Sequence, residues 1–125
     1  MEIRFKDRKN AIEVSIKGKL DIDQAELFEN EFSSNALKSK EKNIGVNLAQ
    51  VEYIDSSGLG ALIKVLNAVK NEGKSMFLFG AAPKIQNVFQ LARLEKFFAF
   101  TSPVEFKSKF PDSDDEAIDD LINKI

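Results

Sequence analysis

The sequence predicts an α/β domain in which a mixed sheet of four to five strands is flanked by helices, in the order β-β-α-β-α-β-α-β. Two observations favour this class. Short segments with alternating or continuous apolar residues are separated by segments in which apolar residues recur with a helical period. A length of 125 residues, with 43% hydrophobic and 30% charged residues, fits one globular domain with a single core.

The chain opens with a predicted β-hairpin that is followed by a helix. Apolar and charged residues alternate over residues 3–5 and again over residues 12–16, and the polar residues 7–10 between them predict the turn. Asp21 and Asp23 are candidate N-caps of the helix. Its predicted buried face consists of apolar residues at spacings of three and four: Ala25, Phe28, Phe32 and Ala36.

The remaining elements alternate between strands and helices. Residues 44–48 alternate and predict the third strand, and a helical stripe then begins, consisting of Leu59, Leu62, Ile63, Leu66 and Val69. Gly73 predicts the end of that helix. The continuous apolar run over residues 76–79 predicts a strand that is covered on both faces. Pro83 predicts the first turn of another helix, and the phenylalanines in residues 97–100 predict a last or edge strand.

Pro111 marks the end of the predicted domain, which spans residues 1–110 and leaves an acidic extension over residues 111–125. The extension holds six of the 20 acidic residues and one base. Ser113 and Glu116 have the spacing of a capping box, and apolar residues at helical spacing follow, so we predict a short amphipathic helix. This pattern allows three roles for it: docking on its own domain, a dimer contact, or a docking helix for a partner.

The composition excludes several classes of function. No cysteine is present for a disulfide, a thiolate metal site or a nucleophile, and no histidine is present as a general base or zinc ligand. The lysines are scattered singly, whereas a nucleic-acid binder concentrates them. No window approaches the roughly 20 apolar residues of a membrane span. We therefore expect a cytoplasmic protein that is not an enzyme and binds no cofactor, metal, membrane or nucleic acid.

The most informative segment is Asp55-Ser56-Ser57-Gly58-Leu59-Gly60, which joins the third strand to the second helix. An aspartate or serine at such a turn caps free backbone N–H groups, but capping explains only one of the polar residues. Gly58 and Gly60 each cost a helix about 0.5–1 kcal/mol relative to alanine. Close approach by another molecule would justify that cost, so we interpret the segment as a binding site.

The two serines of this segment suit modification better than catalysis. A serine nucleophile needs a base, and both histidine and the Gly-x-Ser-x-Gly pattern are missing. A phosphoserine carries about −1.5 to −2 charges, which the N-terminus of a helix stabilises. Asp55 beside it, and Asp21 from another loop, would oppose that charge. Phosphorylation would therefore leave the fold intact and make the local surface strongly acidic, as a binding switch requires.

These residues resemble the signature of STAS-domain anti-sigma factor antagonists. The resemblance spans roughly residues 1–108 in order. Four segments carry it: the hexapeptide 55–60, the residues Asn47-Leu48 and Tyr53-Ile54 before it, Gly18-Lys19-Leu20-Asp21, and Ala82-Pro83. The acidic extension after Pro111 departs from the minimal family pattern.

The resemblance implies a bacterial partner-switching protein. In that family an anti-sigma factor that is also a serine kinase binds the unmodified antagonist, and the sigma factor is freed. The kinase phosphorylates the serine that matches Ser56, which abolishes binding, and a PP2C-type phosphatase restores the hydroxyl. ATP and Mg²⁺ would belong to the kinase partner. Asp21 matches a loop aspartate close to this site.

We predict a partner-binding surface around the motif, made of Asp21, Asp55, Ser57, Gly58, Leu59, Gly60 and Val65. On the second helix, Ala61, Val65 and Ala68 form a small apolar shoulder, which either contacts the partner or packs against the helix around Val88. In the first case Val65→Glu weakens binding without unfolding the domain. We expect a monomer or a weak dimer.

Two other functions remain open at this stage. One is a non-switching STAS adaptor, a subunit of a transport or sensory complex. The other is a receiver-like domain that is phosphorylated on an aspartate, for which Asp55 ends a strand at a suitable place. A receiver begins with a single strand and an acidic pair, however, and this chain begins with a predicted hairpin.

Overall fold

The structure is a computed structural model that describes residues 1–113. The amphipathic helix predicted after Ser113 lies outside the described residues. One sheet contains all five named strands, in the spatial order β1-β2-β3-β4-β5. The strands are β1 (Glu2–Arg8), β2 (Ala11–Leu20), β3 (Asn43–Ile54), β4 (Ser75–Phe79) and β5 (Ala99–Phe100). The helices are α1 (Ala25–Phe32), a π-helical turn that continues it (Ser33–Leu37), α2 (Ser56–Asn71), α3 (Pro83–Leu91) and α4 (Pro103–Lys109).

The sheet is mixed, as predicted. β1 and β2 form the antiparallel hairpin, closed by a two-residue turn in which Asn10 has a φ of 65°. From β2 onward every neighbouring pair is parallel, with α1, α2 and α3 as the crossovers. Because such crossovers share one hand, these three helices lie on the same face of the sheet.

The main core lies between that face and α1–α3. The predicted stripe of α2 faces it, since Leu59, Leu62, Leu66 and Val69 are all buried. Gly73 ends this helix at a φ of 70°, where the backbone N–H of Lys74 donates to the carbonyl of Val69 at 3.0 Å. That bond belongs to a Schellman motif, which confirms the predicted stop.

The opposite face of the sheet carries a second, smaller core that the sequence analysis missed. α4 lies there and stacks Phe106 on Phe79, and Phe110, which follows the helix, packs against Phe106. The ring of Phe106 fills a notch above Gly45, where an added Cβ would lie 2.2 Å from Cζ of the ring. A side chain at position 45 is therefore incompatible with this packing of α4.

The chain after α4 returns to the hairpin. Pro111 accepts a hydrogen bond from the backbone N–H of Lys9 at 2.9 Å, and Asp112 pairs with Lys6 at 2.5 Å. Beside this segment, the buried guanidinium of Arg8 pairs with Glu13 at 2.8 Å and donates to the carbonyl of Phe110 at 3.1 Å. The described end of the chain is thus held at the turn end of β1.

No helix within residues 1–113 combines the length and the apolar character that crossing a bilayer requires.

Candidate functional site

The predicted motif lies where two parallel strands end. β2 and β3 are paired up to Leu20 and Ile54, so the segments that follow them leave the same edge of the sheet. The segment after β3 begins α2 at once, and the segment after β2 forms the loop of residues 21–24 that leads into α1. The topology therefore brings Asp21 to the hexapeptide, as the resemblance implied.

Asp55 is the N-cap of α2. Its carboxylate accepts from the backbone N–H of Gly58 at 3.0 Å, and its other oxygen accepts from the backbone N–H of Ile22 at 3.2 Å. The capping role in this turn therefore falls to the aspartate, and both serines are left free of it.

The predicted caps of α1 are wrong. The helix begins at Ala25 after Gln24, whose side chain makes no capping bond. Asp21 accepts from the backbone N–H of Asp23 at 3.1 Å through its side chain, and from the N–H of Ala25 at 2.9 Å through its carbonyl. Asp21 therefore closes a turn inside the loop, a common alternative for this residue type.

Ser56 occupies the first position of α2 and is exposed, and Ser57 beside it is half-buried. Within residues 1–113 the hydroxyl of Ser56 makes no hydrogen bond. The backbone N–H groups of Ser56 and Ser57 likewise have no acceptor in the described chain. An oxygen-rich group attached to Ser56 would find these donors and the positive end of the helix dipole beside it.

The fold explains one of the two glycines of the motif but not the other. A Cβ on Gly58 would lie 2.1 Å from the carbonyl oxygen of Leu20, so the contact between α2 and β2 requires glycine there. A Cβ on Gly60 would meet no atom within 4 Å. The fold therefore accounts for Gly58, whereas nothing in the described chain requires Gly60.

The apolar part of the predicted surface is wrong. Val65 is only 3% exposed, and Gly58 and Leu59 are buried as well, so none of the three is available to a partner. The reason is that Val65 belongs to the main core, and the helix against which α2 packs is α1. The surface-accessible members of the predicted set are Asp21, Asp55, Ser57 and Gly60, which are half-buried.

A groove runs between α1 and α2 and starts at the motif. Ser57, Gly60 and Ala61 line it from α2, and at its far end Lys64 pairs with Glu29 of α1 at 3.5 Å. Ile22 stands at the near end with 71% of its surface exposed. The sequence analysis missed this residue, although an isoleucine between two aspartates in a loop is an unusual choice.

The site is rich in negative charge. Asp21, Asp23 and Glu26 belong to the loop and the first turn of α1, and Asp55, the N-cap of α2, is hydrogen-bonded to the same loop. Lys64 is a cation of the groove, and it is paired with Glu29. No group of three or more acidic residues within residues 1–113 is arranged to hold a metal ion. A phosphoryl group added at Ser56 would therefore join a surface that is already acidic.

The comparisons with known proteins agree with this architecture. The sequence pattern of the STAS domain matches residues 2–109. The anti-sigma-B factor antagonist of Staphylococcus aureus is 30% identical over 83 residues, which are 66% of this chain and 76% of the relative. A solved structure of a putative anti-sigma factor antagonist from Thermotoga maritima superposes with a TM-score of 0.77, at 22% identity, over 86% of this chain and 92% of that one.

A second solved structure is the phosphorylated form of the Bacillus cell fate determinant SpoIIAA. It superposes with a TM-score of 0.65, at 17% identity, over 86% of this chain and 98% of that one. The sheet order and the opening hairpin differ from the receiver-like alternative, in which five strands are parallel in the order 2-1-3-4-5. That alternative is therefore wrong.

Proposed function

The chain belongs to the STAS-domain family, and on that premise we propose that it is an anti-sigma factor antagonist whose binding is switched by phosphorylation of Ser56. In its unmodified form it binds an anti-sigma factor that is also a serine kinase, and the sigma factor is released. Phosphorylation ends this binding, and a PP2C-type phosphatase restores it. ATP and Mg²⁺ act in the kinase partner.

The observation that carries this proposal is the state of the Ser56 hydroxyl. It is exposed, it makes no hydrogen bond within residues 1–113, and Asp55 performs the capping that a serine would otherwise supply. Ser56 can therefore enter a kinase active site without loss of a structural bond. The phosphoserine would keep the helix, because its charge lies at the N-terminus of α2.

Electrostatics explains why binding would end. Phosphorylation adds about −1.5 to −2 charges to a surface that already contains Asp55 and Asp21. A partner that docks over Ser56 must then bury a doubly charged group beside carboxylates, which costs several kcal/mol unless a cation pairs with it. About 1.4 kcal/mol changes an equilibrium constant tenfold. We therefore expect phosphorylation to lower the affinity for the partner by two orders of magnitude or more.

The presence of glycine at position 60 supports the docking of a partner on α2 beside Ser56. A helical glycine costs about 0.5–1 kcal/mol relative to alanine, and the described chain gives no reason for it. A partner whose backbone approaches α2 at the groove would supply that reason. Ile22, exposed beside Asp55, would supply apolar contact area to the same partner.

The test is phosphorylation and binding with the anti-sigma factor kinase of the same bacterium. We expect Mg-ATP to produce one acid-stable phosphoserine at Ser56, which mass spectrometry locates. Ser57→Ala should remain a substrate, and Ser56→Ala should bind but not be modified. Calorimetry should find that Ser56→Asp binds much more weakly than Ser56→Ala.

Each contrary result has a clear meaning. Phosphate on Ser57 in place of Ser56 would contradict the assignment of the site. A chain that binds its partners equally with serine, alanine or aspartate at position 56, and is never phosphorylated, would be the non-switching adaptor instead.

A further inference from the structure

A cleft opens at the carboxyl ends of β4 and β5, and none of its lining residues belongs to the phosphorylation motif. Its volume is about 470 Å³, within the range of about 300–1,000 Å³ that is usual for small-molecule sites. α3 forms one wall, the turn at Gly80 forms the floor, and the segment from Phe100 to Pro103 forms the other wall.

The walls of the cleft are aromatic. Phe79 and Phe89 are buried behind it, and Phe100 is 41% exposed at its mouth. Phe89 and Phe100 meet edge to face with their ring centres 5.4 Å apart. Because Phe100 remains partly exposed, some of its ring surface is left for a flat ligand to cover.

The rim of the cleft carries acceptors without partners. The amide nitrogen of Gln86 donates to the carbonyl of Ala81 at 2.7 Å, which leaves the amide oxygen of Gln86 as an acceptor. Within residues 1–113, the side chains of Gln90 and Glu95 make no hydrogen bond or ion pair. No lysine or arginine is among the residues that line the cleft.

We propose that this cleft binds a small aromatic amine, a flat apolar molecule that carries one positive charge or several N–H donors. The aromatic ring of the ligand packs against Phe100. The amino group of the ligand is attracted to the Glu95 carboxylate and to the face of a phenylalanine ring that lines the cleft. A phosphorylated or carboxylated ligand is disfavoured, because it would meet Glu95 with no cation to balance it. This site is independent of the switch at Ser56.

The test uses three probes that share the indole ring and differ in charge: tryptamine, indole and indole-3-acetate. Each is titrated into the full ¹⁵N-labelled chain, and the backbone amides of Gly80, Gln90 and Thr101 are followed by NMR. We expect saturable shifts in the millimolar range with tryptamine. Indole should bind about fivefold more weakly, as the loss of a solvent-exposed ion pair predicts, and indole-3-acetate more weakly still.

Two variants test the assigned residues. Glu95→Gln should lose most of the preference for tryptamine over indole, and Glu72→Gln, at an exposed glutamate of another helix end, should keep the wild-type preference. Phe100→Leu should weaken both probes. Shifts at these amides that do not saturate, an equal affinity for indole-3-acetate, or an unchanged preference in Glu95→Gln would each overturn the proposal, provided that the spectrum of the variant remains that of a folded protein.

Discussion

The carboxylate of Asp55 lies 3.2 Å from the backbone nitrogen of Ile22, and so connects the start of α2 to the loop before α1. The same carboxylate caps Gly58 at 3.0 Å. One side chain thereby fixes the two segments that carry the acidic residues and the serine of the proposed switch. The position of Ser56 relative to Asp21 depends on this carboxylate.

Replacing Asp55 by alanine should destabilise the domain. The change removes an N-cap and the bond to the loop, and we expect the free energy of unfolding to fall by about 1–2 kcal/mol in urea denaturation. Hydrogen exchange at the amides of Ile22 and Gly58 should accelerate. Asp23→Ala is the control, because the Asp23 side chain is exposed and makes no bond within residues 1–113; its effect should stay within about 0.5 kcal/mol. Equal losses in both variants would contradict this role of Asp55.

The two motif glycines should respond to alanine in opposite directions. Gly60→Ala should raise the free energy of unfolding by about 0.5–1 kcal/mol, because its Cβ enters open space on a helix. Gly58→Ala should lower it by about 1–3 kcal/mol, because its Cβ would collide with the Leu20 carbonyl. If Gly60 serves the partner, the more stable Gly60→Ala variant should bind the anti-sigma factor kinase less tightly. Unchanged affinity would remove Gly60 from the interface.

Val65→Glu should unfold or strongly destabilise the domain, in contrast to the expectation from sequence alone. The side chain is buried against the core, and an unpaired carboxylate there costs several kcal/mol. Circular dichroism during thermal unfolding measures the loss. Asn67→Glu places the same charge on the exposed side of α2 and should change the stability by no more than about 0.5 kcal/mol. A Val65→Glu protein as stable as Asn67→Glu would show that this part of α2 is not core.

The contact between Gly45 and Phe106 should appear as a strong coupling. Phe106→Ala should cost about 3–5 kcal/mol, because it empties the smaller core. Gly45→Ala should cost about 1–3 kcal/mol in the wild type, where its Cβ meets the ring, and much less in Phe106→Ala, where the space is free. A double-mutant cycle in urea gives both values. Additive losses would show that the ring does not occupy the notch.

Local patterns predicted most of this fold because they act over a few residues. The alternation in β1 and β2, the stripe of α2, the stop at Gly73 and the start of α3 at Pro83 each depend on neighbours along the chain. The smaller core depends on residues 61 positions apart, Gly45 and Phe106, and no periodicity relates them. Ser102 and Glu105 did offer a local signal for α4, since the hydroxyl of Ser102 accepts from the N–H of Glu105 at 3.0 Å.

The geometry around the motif was predicted well where it follows from the order of the elements and poorly where it depends on burial. The hexapeptide, Ser56 at the start of a helix and the approach of the Asp21 loop follow from sequence order and strand pairing. Val65 was wrongly assigned to the partner-binding surface, because a helix with apolar residues on two sides does not indicate which neighbour covers each side. Ile22 was missed because a single loop residue has no periodicity, and its exposure depends on the turn that Asp21 closes.

Pro111 hydrogen-bonds to Lys9 at the turn end of β1, where β2 also begins, whereas Ser56 follows the opposite edge of the sheet. The ten residues of β2 separate the two edges, a distance of about 30 Å at 3.3 Å per residue. A fluorophore or surface tether attached to the side chain of Lys9, which is exposed in the hairpin turn, would thus lie remote from Ser56. Immobilising the chain by that route should leave Ser56 accessible to the proposed kinase and phosphatase.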